Sequence, residues 1–314
     1  MKTQIFGTFG PACASEEVLQ EMVQAGMTGM RLNLSHTTLA ASENYIKAYQ
    51  KVEERPQILI DMQGPELRIA SLEESICLKV DESIRLDTIP MPGEVWEVLE
   101  DDDEILLDDG KILLHVADVK KSIAKVQRGG MLTSGKSIKI KDKYISMPPL
   151  TEHDIQNIKV AKAYGVTALM QPFVISGNDI RKVREVLKEN GAENIQIFAK
   201  IENLLGVENI KDILQEADVI VIARGDLGND MPLWELPRVQ KQLEEACKAA
   251  GKPYIVVTQM LASMEHNPVP TRAEVSDVFH AVYHGAWGVM LTGETAVGKY
   301  PVEAIKYLAN TSNL

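Results

Sequence analysis

A chain of 314 residues with 45 % apolar and 25 % charged side chains can form one large domain or two ordinary ones around a sizeable core. Its formal net charge of −12 and 5 % aromatic content argue against a general nucleic-acid or anionic-membrane surface, which needs positive patches or stacking platforms. The three cysteines, Cys13, Cys77 and Cys247, are scattered without C-x-x-C spacing, so neither a disulfide framework nor a zinc site is suggested and a reducing cytoplasm fits.

The first element is a strand, "TQIFGTF", followed by "SEEVLQEMVQAG", a helix with Ser15 as N-cap, Glu16 and Glu17 in its first turn and Gly26 at its close. "GMRLNLS" reads as the second strand, Leu39 to Arg55 as the second helix and "QILIDM" as the third strand. The rhythm then breaks. From Ile69 to Pro149 the text is β-rich, with Asp109-Gly110 as a hairpin signal and an acidic cluster from Glu100 to Glu104 that reads as a solvated loop. Alternation returns with a helix opened by Thr151, Glu152 and Asp154, then the strand "ALMQPF" and a helix from Asn178 to Asn190. "NIQIFAKIE" and "VENIKDILQEA" follow, then "DVIVIAR" with a helix from Glu235 to Ala250. "YIVVTQM" with "RAEVSDVFHAVYHG", and "WGVMLTG" with a last helix opened by Pro301, complete the series. No signal-peptide pattern opens the chain, and no apolar run approaches the ~18 residues needed to span a bilayer.

Eight apolar strands alternating with eight amphipathic helices predict an α/β fold, a (β/α)8 TIM barrel formed by residues 1–68 and 150–314. Residues 69–149 are expected to form a small all-β lid domain inserted after strand three. A doubly wound sheet stays open as an alternative, although no G-x-G-x-x-G follows the first strand.

In such barrels chemistry sits at the C-terminal ends of the strands. Those ends carry Arg31, Asn33, Ser35 and His36, then Asp61, then Lys200 and Glu202, then Arg224 and Asp226, then Thr258, and finally Thr292 and Glu294. Any one of these could be a helix cap, but six strands converging on one mouth would bury many charges without purpose unless a ligand pairs them. Glu202 and Asp226 come from adjacent strands, as Mg²⁺ prefers. Lys200 and Arg31 offer positive charge to a phosphoryl group, and the Gly225–Gly228 loop can turn N–H groups toward an anion. Asn33, Ser35 and Asp61 supply oxygens for a second, monovalent cation. The set implies a small phosphorylated acid and phosphoryl-transfer or lyase chemistry. Arg224-Gly225-Asp226 follows a core strand, so it is not expected to be an exposed adhesion tripeptide.

The segments "TFGPA", "MRLNLSH", "DMQGPELR", "FAKIEN", "VIARGDLG", "AGKPYIVVTQML", "PTRAEVSDV" and "VMLTGETAVGKYPVEAI" occur in the order seen in pyruvate kinases, and the chain resembles that family from Thr8 to Ile305. The resemblance implies conversion of phosphoenolpyruvate and ADP to pyruvate and ATP, a glycolytic phosphotransferase reaction, with Mg²⁺ and K⁺. Arg31 would hold the substrate phosphate and Lys200 the transferring phosphoryl group and enolate. Glu202 and Asp226 would hold Mg²⁺, and Asn33, Ser35, Asp61 and the Met62 carbonyl would hold K⁺. Gly225, Asp226 and Thr258 would receive the substrate carboxylate, with Thr258 near the proton delivered to the enolate. His36, Arg68 and Lys136 would contact the nucleotide.

The sequence also departs from the family pattern. Met62-Gln63 stands where Thr-Lys is usual, removing a positive charge, and Pro172 and Ile175 replace a Ser and an Arg. Ala262 replaces a Glu, and the Asn-x-Pro-Gly turn of the β domain is missing. The sequence ends at Leu314, before the family's C-terminal domain, so effector control through that domain is not expected and any assembly is expected to be a homodimer through the barrel. Two further readings stay open. One is a Mg²⁺-dependent lyase or aldolase acting on phosphoenolpyruvate, pyruvate or a 2-keto acid. The other is a non-catalytic regulatory paralogue that binds a phosphometabolite.

Overall fold

The computed structural model describes residues 2–35, 37–108, 110–145 and 147–313. The chain divides into two units, one made of Met1–Gly64 with Pro149–Leu314 and the other of Pro65–Pro148. Whereas the sequence suggested a first junction after Arg68, Arg68 already belongs to the second unit, where its backbone bridges Ser137.

The first unit is a closed barrel of eight parallel strands in simple sequential order. The strands are Gln4–Thr8, Gly29–Asn33, Gln57–Asp61, Ala168–Gln171, Gln196–Ile201, Val219–Ala223, Tyr254–Val257 and Gly288–Met290. The first pairs with the second and with the eighth, which closes the cylinder and leaves no free edge. Strand residues are apolar on both faces because both faces are buried. Leu59, Met170, Val221 and Ile255 fill the barrel interior, while Ile60, Leu169, Ile222 and Val256 face the surrounding helices. The (β/α)8 reading therefore holds, and the doubly wound alternative falls.

An aromatic trio packs inside the barrel. Phe6 lies 6.4 Å from Phe198 and 5.9 Å from Trp287, and Phe198 lies 6.2 Å from Trp287. Edge-to-face packing of this kind adds to area burial. Room for the Phe6 ring comes from Gly29, where a Cβ would stand 2.3 Å from ring carbons. Gly29→Ala is expected to destabilise the barrel by about 1–3 kcal/mol, the usual cost of overpacking. Urea unfolding reads this directly, and an unchanged midpoint would show that the ring has space to move.

Helix starts follow the caps in the sequence. Ser15 accepts from the Val18 N–H at the start of Glu16–Gln24, and Gly26 sits at φ +114° just past its end. Thr151 and Asp154 form a capping box on Glu152–Ala161, as do Thr271 and Glu274 on Arg272–Tyr283. Pro301 opens Pro301–Ser312.

Three elements differ from expectation. The second helix covers only Glu43–Lys51. Val52 is already extended, Glu54 is left-handed, and Arg55 precedes Pro56, where helical backbone is disfavoured. The helix after strand five begins earlier and breaks into Leu204–Glu208 and Ile210–Glu216 at Asn209, whose side chain donates to the Ile175 carbonyl. Finally, strand six runs straight into a helical turn, Arg224–Asn229, where a loop was expected.

The second unit holds a five-stranded antiparallel sheet in the order Ile138–Ile140, Glu104–Leu107, Ile112–Asp118, Ile123–Arg128 and Ser83–Arg85, plus the pair Ile76–Leu78 and Gly130–Leu132. It has its own core around Leu86, Val95, Leu107, Leu114 and Val126. It is not purely β, because Gly93–Val98 is helical. Glu104–Leu107 and Ile112–Asp118 pair as the expected hairpin, although Asp109 itself lies outside the described residues. In the acidic cluster, Glu100 and Asp103 pair with Lys143, and Glu104 with Lys141. These carboxylates are accordingly structural.

Cys13 and Cys247 are buried and Cys77 is exposed. Burial pushes the Cys13 thiol up to about 11, against a backbone hydrogen bond at Gly10 that pulls the other way. Burial, helped by the Glu244 charge, pushes Cys247 up to about 12. Both stay protonated and inert at neutral pH. Iodoacetamide at pH 8 is expected to label Cys77 alone in the native protein and all three thiols in denaturant. Mass spectrometry counts them, and rapid native labelling of Cys13 or Cys247 would refute the assignment.

No helix among the described residues is long and apolar enough to cross a membrane.

Candidate active site

Strand geometry gathers the site. Side chains alternate across each strand, so Thr8 follows Phe6, Asp61 follows Leu59 and Lys200 follows Phe198 on the inner face. At the C-terminal ends this row turns from apolar to charged.

Asp61 is the hub, with 1 % of its surface exposed. Arg31 reaches its Oδ2 with Nε at 2.8 Å and Nη2 at 2.7 Å. Lys200 Nζ stands 3.4 Å from Oδ1 and 2.8 Å from Glu202 Oε1. The 3.4 Å approach is an ion pair rather than a well-aligned hydrogen bond, and Oδ1 remains a buried acceptor without a hydrogen-bond donor. Glu202 is 3 % exposed, and its Oε2 accepts from the Phe173 N–H at 2.9 Å. Phe173 sits at φ +52°, so a left-handed backbone aims that N–H at the carboxylate. Four side chains from strands two, three and five, the last two separated by strand four, thus form one continuous chain: Arg31, Asp61, Lys200, Glu202.

The charges follow from these contacts. Burial raises the Asp61 carboxyl, but Lys200 and Arg31 outweigh it and hold it below the usual range. Burial opposes the Lys200 ammonium, yet Asp61 and Glu202 overcome this and raise its pKa, so the lysine is a fixed cation. Glu202 goes the other way. Burial pushes it up to about 7; Lys200 pulls it down, and the Asp226 and Asp61 charges push it further up. Asp226 and Asp61 thus set further carboxylates around a Glu202 whose own ionisation burial disfavours.

Asp226 lies in the first turn of Arg224–Asn229, close enough to act electrostatically on Glu202. The two carboxylates fit a divalent cation completed by water and substrate oxygens. No group of three or more His, Cys, Asp or Glu side chains among the described residues makes a protein-only metal cage. Beside Asp61, Asn33 Oδ1 accepts from both the N–H and the hydroxyl of Ser35. Asp61 Oδ1, ion-paired with Lys200 but without a well-aligned donor, and these neutral oxygens fit a weakly charged cation.

Other expected residues take different places. Arg224 does not point into the mouth. Its guanidinium holds the Thr258 carbonyl and the Asp277 carboxylate. Glu294 is buried and accepts from the Leu261 and Thr292 N–H groups, so it fastens two strand-end loops. Gln63 is tied back through the Thr151 hydroxyl, 3.3 Å from its Oε1, and its N–H donates to Asp154. Arg68 and Lys136 lie in the second unit, where Arg68 pairs with Glu66 and the Gly135 carbonyl and Lys136 with Asp108. His36 lies outside the described residues. One participant was missed. Thr8, 3 % exposed, accepts from Arg31 Nη1 at 3.3 Å and donates to the Leu291 carbonyl. Alternation from Phe6 would have found it.

The chain matches a known family. The family model described as pyruvate kinase, barrel domain, covers residues 1–305. The chain belongs to the pyruvate kinase family. It is 39 % identical to a pyruvate kinase of Bacillus licheniformis over 99 % of this chain and 57 % of the relative. It is 40 % identical to one of Sporosarcina psychrophila over 97 % of this chain and 55 % of the relative. The pyruvate kinase of Chlamydia muridarum is 37 % identical over 97 % of this chain and 67 % of its own length. The chain thus spans between about half and two thirds of the length of these pyruvate kinases.

Proposed function

We propose that this chain carries out phosphoryl transfer from phosphoenolpyruvate to ADP, giving pyruvate and ATP. The observation that carries the reading is the unbroken row Arg31–Asp61–Lys200–Glu202 at the C-terminal rim of a pyruvate kinase barrel. Arg31 and Lys200 are held about Asp61 as two cations on one anion, which fixes both side chains before substrate arrives. Arg31 would take the substrate phosphate, and Lys200 the transferring phosphoryl group and the enolate oxygen. The phosphorus–oxygen bond to the enol breaks as one to the ADP β-phosphate forms, and the enolate carbon takes a proton on the side where Thr258 stands. Gly225, Asp226 and Thr258 would receive the carboxylate. Mg²⁺ held by Glu202 and Asp226 would neutralise phosphoryl oxygens as a Lewis acid. K⁺ would be held by Asn33, Ser35, Asp61 and the Met62 carbonyl. For the nucleotide, Arg68 and Lys136 are already paired with Glu66 and Asp108, so a phosphate would have to compete with those carboxylates.

A coupled assay of ATP formation from phosphoenolpyruvate and ADP, with Mg²⁺ and with or without K⁺, is the test. Turnover that needs ADP and Mg²⁺ supports the reading. Product formation without ADP points to lyase or aldolase chemistry. Tight phosphoenolpyruvate binding with no turnover points to a regulatory binder, a reading that Gln63 favours because its side chain is neutral and tied to Thr151.

A further inference from the structure

We propose that Arg224 is a positioning residue that locks Thr258 into its working backbone conformation. The inference rests on the phosphoryl-transfer reading, which puts Thr258 at the substrate. Thr258 follows the seventh strand at φ +76°, with Gln259 at φ +54°. A β-branched residue rarely adopts left-handed backbone and needs its surroundings to hold it there.

Those surroundings are specific. Arg224 Nε and Nη2 both donate to the Thr258 carbonyl, at 3.2 and 2.7 Å. Its Nη1 donates to Asp277 Oδ2 at 2.7 Å, on helix Arg272–Tyr283, and Nη2 also lies 2.9 Å from the Met260 sulfur. All three guanidinium nitrogens are therefore spent on the seventh strand's exit and on the helix that follows, and the side chain is 12 % exposed. An arginine used this way is not a phosphate ligand. From the other side, Gly225 abuts Thr258: a Cβ there would stand 3.1 Å from Thr258 Cγ2. Arg224 and Gly225 thus grip Thr258 between a two-donor fork and a bare backbone. The arginine's planar fork suits this double contact, which a lysine ammonium cannot reproduce.

The test is a double-mutant cycle on ATP formation with Arg224→Met and Thr258→Val, accompanied by Asp277→Asn and by melting curves. Arg224→Met is expected to lower kcat by about 10- to 100-fold, the scale of a small misplacement at a reacting centre, with KM for phosphoenolpyruvate changed far less. Arg224→Lys should not restore it. Asp277→Asn, which keeps the fork but loosens its anchor, should lose less. If Arg224 acts through Thr258, the double variant is no slower than Thr258→Val alone. Losses that multiply, or an Arg224→Met kcat within twofold of wild type, overturn the proposal. If the wild-type chain makes no ATP, the functional reading falls instead. The clamp is then judged by a crystal structure of Arg224→Met, where Thr258 leaving the left-handed region supports it and Thr258 keeping φ near its present value overturns it.

Discussion

Lys200→Met is expected to remove ATP formation, with kcat falling on the order of 10³-fold, because among the described residues Lys200 alone pairs with both Asp61 and Glu202. The same change should be felt by the fold. Taking one partner from a buried ion pair costs about 3–5 kcal/mol, since the carboxylates left behind are no longer matched. Arg31 still serves Asp61, so the loss should sit at the lower end, and melting of the metal-free protein is expected to drop by roughly 10 °C. Activity near wild type would remove Lys200 from the chemistry. Lost activity with unchanged melting would mean that the row is relaxed in solution and that the lysine is not paired as described.

Glu202→Gln is the second large effect. The substitution keeps the shape and an oxygen for the Phe173 N–H but discards the charge that burial, Asp226 and Asp61 together make unfavourable. The metal-free protein should tolerate it only with some loss of stability, because the amide has one oxygen where Glu202 serves both Lys200 and the Phe173 N–H. Divalent-cation binding should not, and Mn²⁺ affinity, read by electron paramagnetic resonance, is expected to fall at least about 100-fold, with kcat falling in step. Unchanged Mn²⁺ binding would move the metal elsewhere and dissolve the role given to Glu202.

Most of the barrel could be read from the chain because its signals are local. Apolar strand, capping residue and amphipathic helix recur, and Ser15, Thr151 and Pro301 begin the helices they were expected to begin. The failures come where tertiary contacts override local preference. Arg224–Asn229 holds two glycines, an aspartate and an asparagine, all poor helix formers, yet it coils because strand six delivers it there and Arg224 is anchored on strand seven. Asn209 breaks a helix to satisfy a distant carbonyl.

The site shows the same division. Position at a strand end identified Arg31, Asp61, Lys200 and Glu202, since inward alternation is a sequence property. It could not separate those that face the mouth from Glu294 and Arg224, which turn sideways to hold backbone. Hydrogen-bond partners decide that, and they come from other strands. Thr8 went unnoticed because a single hydroxyl after an apolar strand carries no charge signal.

Asp154 accepts from the N–H groups of Gln63, Gly64 and Thr151, and from the Thr151 hydroxyl. The point where the chain leaves the barrel and the point where it returns are therefore riveted to one carboxylate. The two ends of the barrel segment are thus tied to each other by a residue of the barrel itself. Excising residues 65–148 and bridging the gap with a short glycine tether should leave the eight-stranded frame standing, and the detour's length and content are free to drift without unsettling it.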